Sequence, residues 1–227
     1  MEVVMKIIYH GHAFLEFVTD LNILLDPFIS GNPLCEKAQS DFNPDHILLT
    51  HGHRDHYGDT EQIASRTKCP VHAIAELARW ISQRGFSVVP FNLGGSFFAG
   101  DSKITAVQAI HSNSTPDGTY GGIACGFIIN HKGKTIYAAG DTSYFSDMKF
   151  IGERYDIDIA FLPIGGTYTM DTGDVMRAAS DIRPGMLVPI HYNTFDLIKA
   201  DTSTLSKDLE SIGVSCTIME PGSFIII

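Results

Sequence analysis

The chain has 227 residues, with 16 Lys+Arg against 26 Asp+Glu and a formal charge of −10 when histidine is neutral. Its 44% hydrophobic and 19% charged residues are a globular balance that excludes a disordered chain or a fibre. The acidic excess argues against non-specific binding of nucleic acid or of an anionic membrane, both of which need positive charge. Short apolar runs punctuated by Gly, Asn, Asp and Pro predict strands at residues 6–9, 14–18 and 22–25, the third ending in Asp26-Pro27. A fourth run, 46–49, leads into Thr50-His51-Gly52-His53, so a histidine cluster starts in the loop leaving a strand. Helices are predicted at 59–65 and 76–84, then strands at 88–90, 96–99 and 103–109. In the second half, strands at 124–130 and 135–138 form a hairpin through a turn containing Gly133. Buried-strand runs at 157–163 and 186–189 each end in proline. Helical spacing covers 172–181 and 194–211, the second N-capped near Thr194 and stopped before Gly213. Strands at 216–219 and 224–227 complete a pattern that predicts one α/β domain over 1–227 with two sheets.

Cys35, Cys69, Cys125 and Cys216 form no C-x-x-C pair, which excludes a zinc ribbon and a thioredoxin-type motif and points to free thiols. The first residues lack the basic and apolar regions of a signal peptide, and no run approaches the roughly 18 apolar residues of a membrane helix. A soluble cytoplasmic protein is expected, acting on a small molecule without nucleic acid or membrane; a homo-oligomer is compatible with this reading.

Residues 50–59 read Thr-His-Gly-His-Arg-Asp-His-Tyr-Gly-Asp. His51, His53, Asp55 and His56 are four potential metal ligands within six positions. At an extended strand end, residues i and i+2 share a side, so His51 and His53 can grip one ion. As the chain turns into a helix, Asp55 and His56 would face a neighbouring position. Gly52 and Gly58 let the backbone bend tightly around the site. Imidazoles with carboxylates suit zinc, manganese or iron, whereas calcium and magnesium prefer oxygen shells.

This segment resembles the T-H-x-H-x-D-H-x-G-D signature of the metallo-β-lactamase fold superfamily. The resemblance implies a four-layer αββα sandwich with a dinuclear metal site at one edge of the two sheets. It also implies three further ligands, for which His111, Asp141 and His191 stand in order, each leaving an apolar strand. His51, His53 and His111 would hold one metal, and Asp55, His56 and His191 the other, with Asp141 bridging. Two divalent ions are implied, with zinc preferred and Mn2+ or Fe2+ as alternatives. A hydroxide shared by the metals would attack a small ester, lactone or phosphodiester, and Asp55 could orient it or protonate the leaving group.

Tyr9-His10-Gly11-His12-Ala13-Phe14 and the run from Pro163 to Met170 resemble a compact branch of small metal-dependent hydrolases. That branch is similar to the L-ascorbate-6-phosphate lactonase group and, more distantly, to the N-acylphosphatidylethanolamine-hydrolysing phospholipase D group. There, the residue matching His12 lies near the metals, which makes His12 a catalytic candidate beside Asp55 and Asp141. Tyr168, in a Gly-rich loop after a strand, is a candidate substrate contact. His10, His46, His72 and His131 read as surface or core histidines, and residues 112–115 as an ordinary polar loop. Asp rather than Cys at position 141 disfavours a secreted β-lactamase, and the 36 residues after His191 disfavour a glyoxalase-II-type helical domain. The alternatives are a mononuclear iron oxygenase of the persulfide dioxygenase type and a metal-binding module without catalysis.

Overall fold

Successive residues of the central strands alternate between two apolar layers, and that alternation sets the architecture. In one strand Ile136 and Ala138 join a large core between the sheets, whereas Tyr137, and Ala139 just past the strand end, join a second core beneath helices. In a neighbouring strand Ile159 and Phe161 take the first side, and Ala160 and Leu162 the second. Strands apolar on both faces must be covered twice, which yields helix, sheet, sheet and helix layers.

The computed structural model describes residues 5–227. The first half contains β1 (Lys6–Tyr9), β2 (Leu15–Val18), β3 (Asn22–Leu25), β4 (His46–Leu48), α1 (Arg54–Tyr57), α2 (Thr60–Thr67), β5 (Val71–Ile74), α3 (Ala75–Gln83) and β6 (Val88–Phe91). The second contains β7 (Ser96–Ala99), β8 (Ser102–Gln108), β9 (Cys125–His131), β10 (Lys134–Ala138), α4 (Met148–Arg154), β11 (Ile159–Pro163), α5 (Thr172–Ile182), β12 (Met186–Ile190), α6 (Leu205–Glu210), β13 (Ser215–Cys216) and β14 (Phe224–Ile226). The sheets run β14-β1-β2-β3-β4-β5-β6 and β13-β12-β11-β10-β9-β8-β7. Both are mixed: β1, β2 and β3 are antiparallel, and β3 to β6 are parallel. In the other sheet β7 to β10 are antiparallel, and β10 to β13 parallel. This is the αββα sandwich that the resemblance to the metallo-β-lactamase fold implies.

Three expectations need correction. The predicted helix over 194–211 is not continuous: a single 3-10 turn covers Asp196–Ile198, and helix resumes only at α6. Asn193, at φ 57°, and the burial of Ile198 hold the intervening chain in another path. Thr194 is no N-cap, because its hydroxyl is engaged with His12. The strand expected at 216–219 shortens to Ser215–Cys216. β5 and α4 were not anticipated: four buried residues in β5 are too few for a period, and in α4 only Met148 and Ile151 are buried.

Among the described residues, no helix is long and apolar enough to cross a membrane.

Candidate metal centre

β1, β3 and β4 end at the same edge of the first sheet, and β8, β10 and β12 end together in the second. Each is followed by a chemically distinctive residue: His12, Asp26, His51, His111, Asp141 and His191 respectively. His53 precedes α1, and the first turn of that short helix presents Asp55 and His56. The sandwich therefore brings together all eight chemistry-bearing residues singled out around the motif, from His12 to His191.

His51, His53 and His111 form one group, with His51 Nε2 3.0 Å and His111 Nε2 3.3 Å from His53 Nδ1. His12, Asp55, His56 and His191 form a second. Asp141 lies between the two: its Oδ1 is 3.3 Å from His56 Nε2, and its Oδ2 is 3.1 Å from His191 Nε2 and 3.6 Å from His111 Nε2.

Asp26, which the sequence reading passed over, organises this edge. Its Oδ2 accepts from His56 Nδ1 at 2.8 Å and from the Thr50 hydroxyl at 2.6 Å, while Oδ1 accepts from the Thr50 amide. Having donated to Asp26, Thr50 Oγ1 accepts from His51 Nδ1 at 3.0 Å. One carboxylate thus fixes two imidazoles through their Nδ1 atoms and leaves both Nε2 atoms aimed inward, as outer partners of metal-binding histidines do. The available signal was an Asp ending a strand beside the strand that carries the motif.

Burial opposes charge on His56, but Asp141 and Asp26 outweigh it and hold the imidazole well above its ordinary range. Burial also opposes charge on His191, yet Asp141 and Asp55 raise it to about 9. Burial drives His51 well below its usual value, with His56 adding to the effect. Asp141 stays ionised against its burial because His191 and His56 face it. His56 Nε2, His191 Nε2 and Asp141 Oδ1 are nonetheless buried without a hydrogen-bond partner, each an arrangement that costs about 1–3 kcal/mol. Three nitrogens converging at His53 pose the same problem, since one shared proton cannot satisfy them all. Bound metal would satisfy these atoms, so the residues present fit a metal centre of nitrogen and carboxylate donors.

His12 is completely buried beside this centre, its ring centroid 4.0 Å from that of His191. Nε2 lies 3.1 Å from Asp55 Oδ2 and Nδ1 2.9 Å from Thr194 Oγ1. Because an ionised carboxylate only accepts, Nε2 carries the proton and Nδ1 accepts from Thr194. Burial, aided by His191, lowers His12 to about 4, so it is neutral at pH 7. His12, Asp26, His191 and Asn193 all have φ between 50° and 59°, a left-handed backbone that non-glycine residues rarely adopt. Such strain concentrates at functional sites.

Other expectations fall differently. Tyr168 is exposed, on the loop from β11 to α5. Asn113 is a structural clamp, accepting from the Gly52 amide at 2.8 Å and donating to the Gly121 and Ile123 carbonyls. Gly58 takes a positive φ of 46°, as a tight bend requires. Gly52 does not; a Cβ there would instead meet the Ser114 carbonyl at 2.8 Å. His10 pairs with Glu16 at 2.7 Å, His46 with His72 at 2.9 Å, and His131 with Ser102 at 2.9 Å.

Comparison with known proteins shows the family of the chain. Residues 21–192 match the family described as Beta-lactamase superfamily domain. A UPF0173 metal-dependent hydrolase of Anoxybacillus flavithermus is 45% identical over 214 residues, covering 92% of this chain and 95% of its own. One from Methylacidiphilum infernorum is 44% identical over 209 residues, covering 91% and 92%. The metallo hydrolase Igni18 of Ignicoccus hospitalis superposes with a TM-score of 0.90 at 37% identity, covering 98% of both chains. With the αββα sandwich and the His/Asp cluster at its strand ends, these relationships place the chain in the UPF0173 metal-dependent hydrolases of the metallo-β-lactamase fold superfamily.

Proposed function

We propose that the chain hydrolyses a small ester, lactone or phosphodiester at a dinuclear centre, with zinc the preferred metal and manganese or iron as alternatives. His51, His53 and His111 would hold one cation, Asp55, His56 and His191 the other, and Asp141 both. The observation that carries this reading is Asp141, whose two oxygens face different imidazoles while Oδ1 lacks a hydrogen-bond partner. When bound, the cations would lower the pKa of water and polarise the bond under attack.

The protein's own contribution is orientation and proton transfer. Asp26 and Thr50 hold His51 and His56 in one tautomer, so the donor atoms need little rearrangement. Hydrolysis requires a proton to reach the leaving group. Asp141 is buried, whereas the Asp55 side chain is 33% exposed and has Oδ2 on His12 Nε2–H. Asp55 is therefore the carboxylate with access to substrate, steadied by the His12–Thr194 pair.

The test is a panel of p-nitrophenyl esters, lactones and bis-p-nitrophenyl phosphate, with metal content measured in the same samples. Two metals per chain and activity lost in His53→Ala are expected. Asp55→Ala should lose activity beyond any loss of metal. A fully loaded, fully active Asp55→Ala protein would remove the proton-transfer role. A single iron with no turnover of the panel would overturn the hydrolytic reading.

A further inference from the structure

Large apolar side chains on the described surface are unevenly placed. Eleven are exposed, and six of them, Ile110, Tyr120, Ile123, Tyr168, Phe195 and Leu197, lie on segments that follow β8, β11 and β12 at the edge of the His/Asp cluster. These six are between 42% and 68% exposed. Apolar side chains concentrated at one edge of a molecule mark a binding surface.

The segments are tied together. The Ile110 amide donates to Thr142 Oγ1 at 3.0 Å, the Met170 amide to the Thr142 carbonyl at 3.0 Å, and the Thr167 hydroxyl to the Leu197 carbonyl at 2.6 Å. Asn193 closes the last segment by accepting from the Ala200 amide and donating its own amide to Ile198. The apolar surface also reaches the cluster: Phe195 packs 5.6 Å from the His12 ring and 6.2 Å from Phe28, and His12 contacts Asp55. Two cationic side chains beside these segments, Arg54 and Lys199, are already engaged. Arg54 donates to the Pro116 carbonyl, and Lys199 pairs with Asp196 at 2.7 Å. A charged group on the substrate beyond the cluster would thus find neither of them free, whereas an uncharged acyl chain meets the exposed side chains of Phe195 and Leu197.

We infer that the substrate is an uncharged ester or lactone bearing an apolar acyl chain, which packs along Phe195 and Leu197 while its carbonyl sits at the His/Asp cluster. The inference rests on the hydrolytic reading above. In the reaction the acyl C–O bond breaks, water supplies OH to the acyl carbon and H to the leaving oxygen, and a carboxylic acid and an alcohol result.

The test measures kcat/KM of the zinc-loaded protein on p-nitrophenyl acetate, butyrate, hexanoate and octanoate. Burial of each added methylene predicts a rise of about two- to fourfold per CH2. Leu197→Ser and Phe195→Ser should flatten that slope, whereas Phe98→Ser and Phe150→Ser, exposed apolar positions on other elements, should leave it unchanged. Octanoate should also inhibit more strongly than inorganic phosphate. Metal-dependent hydrolysis with a flat slope overturns the acyl-chain contact and leaves the hydrolase reading standing. No metal-dependent turnover of any ester, lactone or phosphodiester overturns the hydrolase reading itself. A fall in molar mass by light scattering in Leu197→Ser, with the slope unaltered, makes the patch a subunit interface and also defeats the inference.

Discussion

His51 and His53 approach to 3.0 Å just beyond the C-terminal end of β4, while His46, the first residue of that strand, approaches His72 to 2.9 Å at the other end. The ring contacts are nearly alike and their surroundings are opposite. Around His51 and His53 stand His111, Asp141 and the Asp26–Thr50 relay, so donor atoms outnumber the protons available to them. Around His72 the main neighbour is Phe97, stacked at 4.5 Å; one proton shared with His46 satisfies the contact, and His72 Nδ1, buried without a partner, faces no carboxylate. Burial lowers His72 to about 3, with no carboxylate opposing it. Two facing imidazoles therefore say little about metal binding until the carboxylates and the remaining nitrogens are considered.

Substitutions at the two ends of β4 should have opposite consequences. His53→Ala should remove metal from the first group and lower activity by about 10²–10³-fold or more, whereas His46→Gln should leave metal content and activity unchanged. Elemental analysis beside a rate assay checks both. Equal loss in the two variants would mean that the pairs do not differ in kind. The next effect in size belongs to the carboxylate that distinguishes the two ends of β4. Asp26→Ala releases the His56 and Thr50 contacts together and should weaken metal affinity by about 10–100-fold, measured by chelator competition. Affinity equal to that of the parent protein would show that His51 and His56 need no such anchor.

The smallest effect concerns stability. With a folded value of about 3 against 6.5 for the free side chain, His72 is neutral in the folded protein when the unfolded chain has already bound a proton. Stability from this group is complete above pH 6.5 and is lost as pH falls toward 3, amounting to about 2 kcal/mol at pH 5. His72→Leu should remove that part of the acid sensitivity, as read by urea melts at pH 7 and pH 5. Parallel losses in both proteins would contradict the assignment.

The ends of β4 also explain what could be read in advance. His51, His53, Asp55 and His56 sit within six positions, and their meaning is local: a strand end followed by a helical turn. His111, Asp141 and His191 each follow an apolar strand, so a fold that gathers strand ends gathers them. Asp26 also follows an apolar strand, but neither it nor Thr194 has a motif around it to single it out. They act through partners 30 and 182 residues away, and a lone Asp before proline or a Thr after Asn is ordinary in a loop. Residues 194–211 misled for a related reason: their spacing suits a helix, but Thr194 is held by His12 and Ile198 is buried where helix would not take it. Tertiary contacts outweighed local propensity there.

Whether two cations share Asp141 is decided by an anomalous-difference map at the zinc edge from crystals grown with zinc. Two peaks about 3.5–4 Å apart are expected, one among His51, His53 and His111 and the other among Asp55, His56 and His191, with Asp141 between them. A single peak, or peaks away from these side chains, would contradict that sharing.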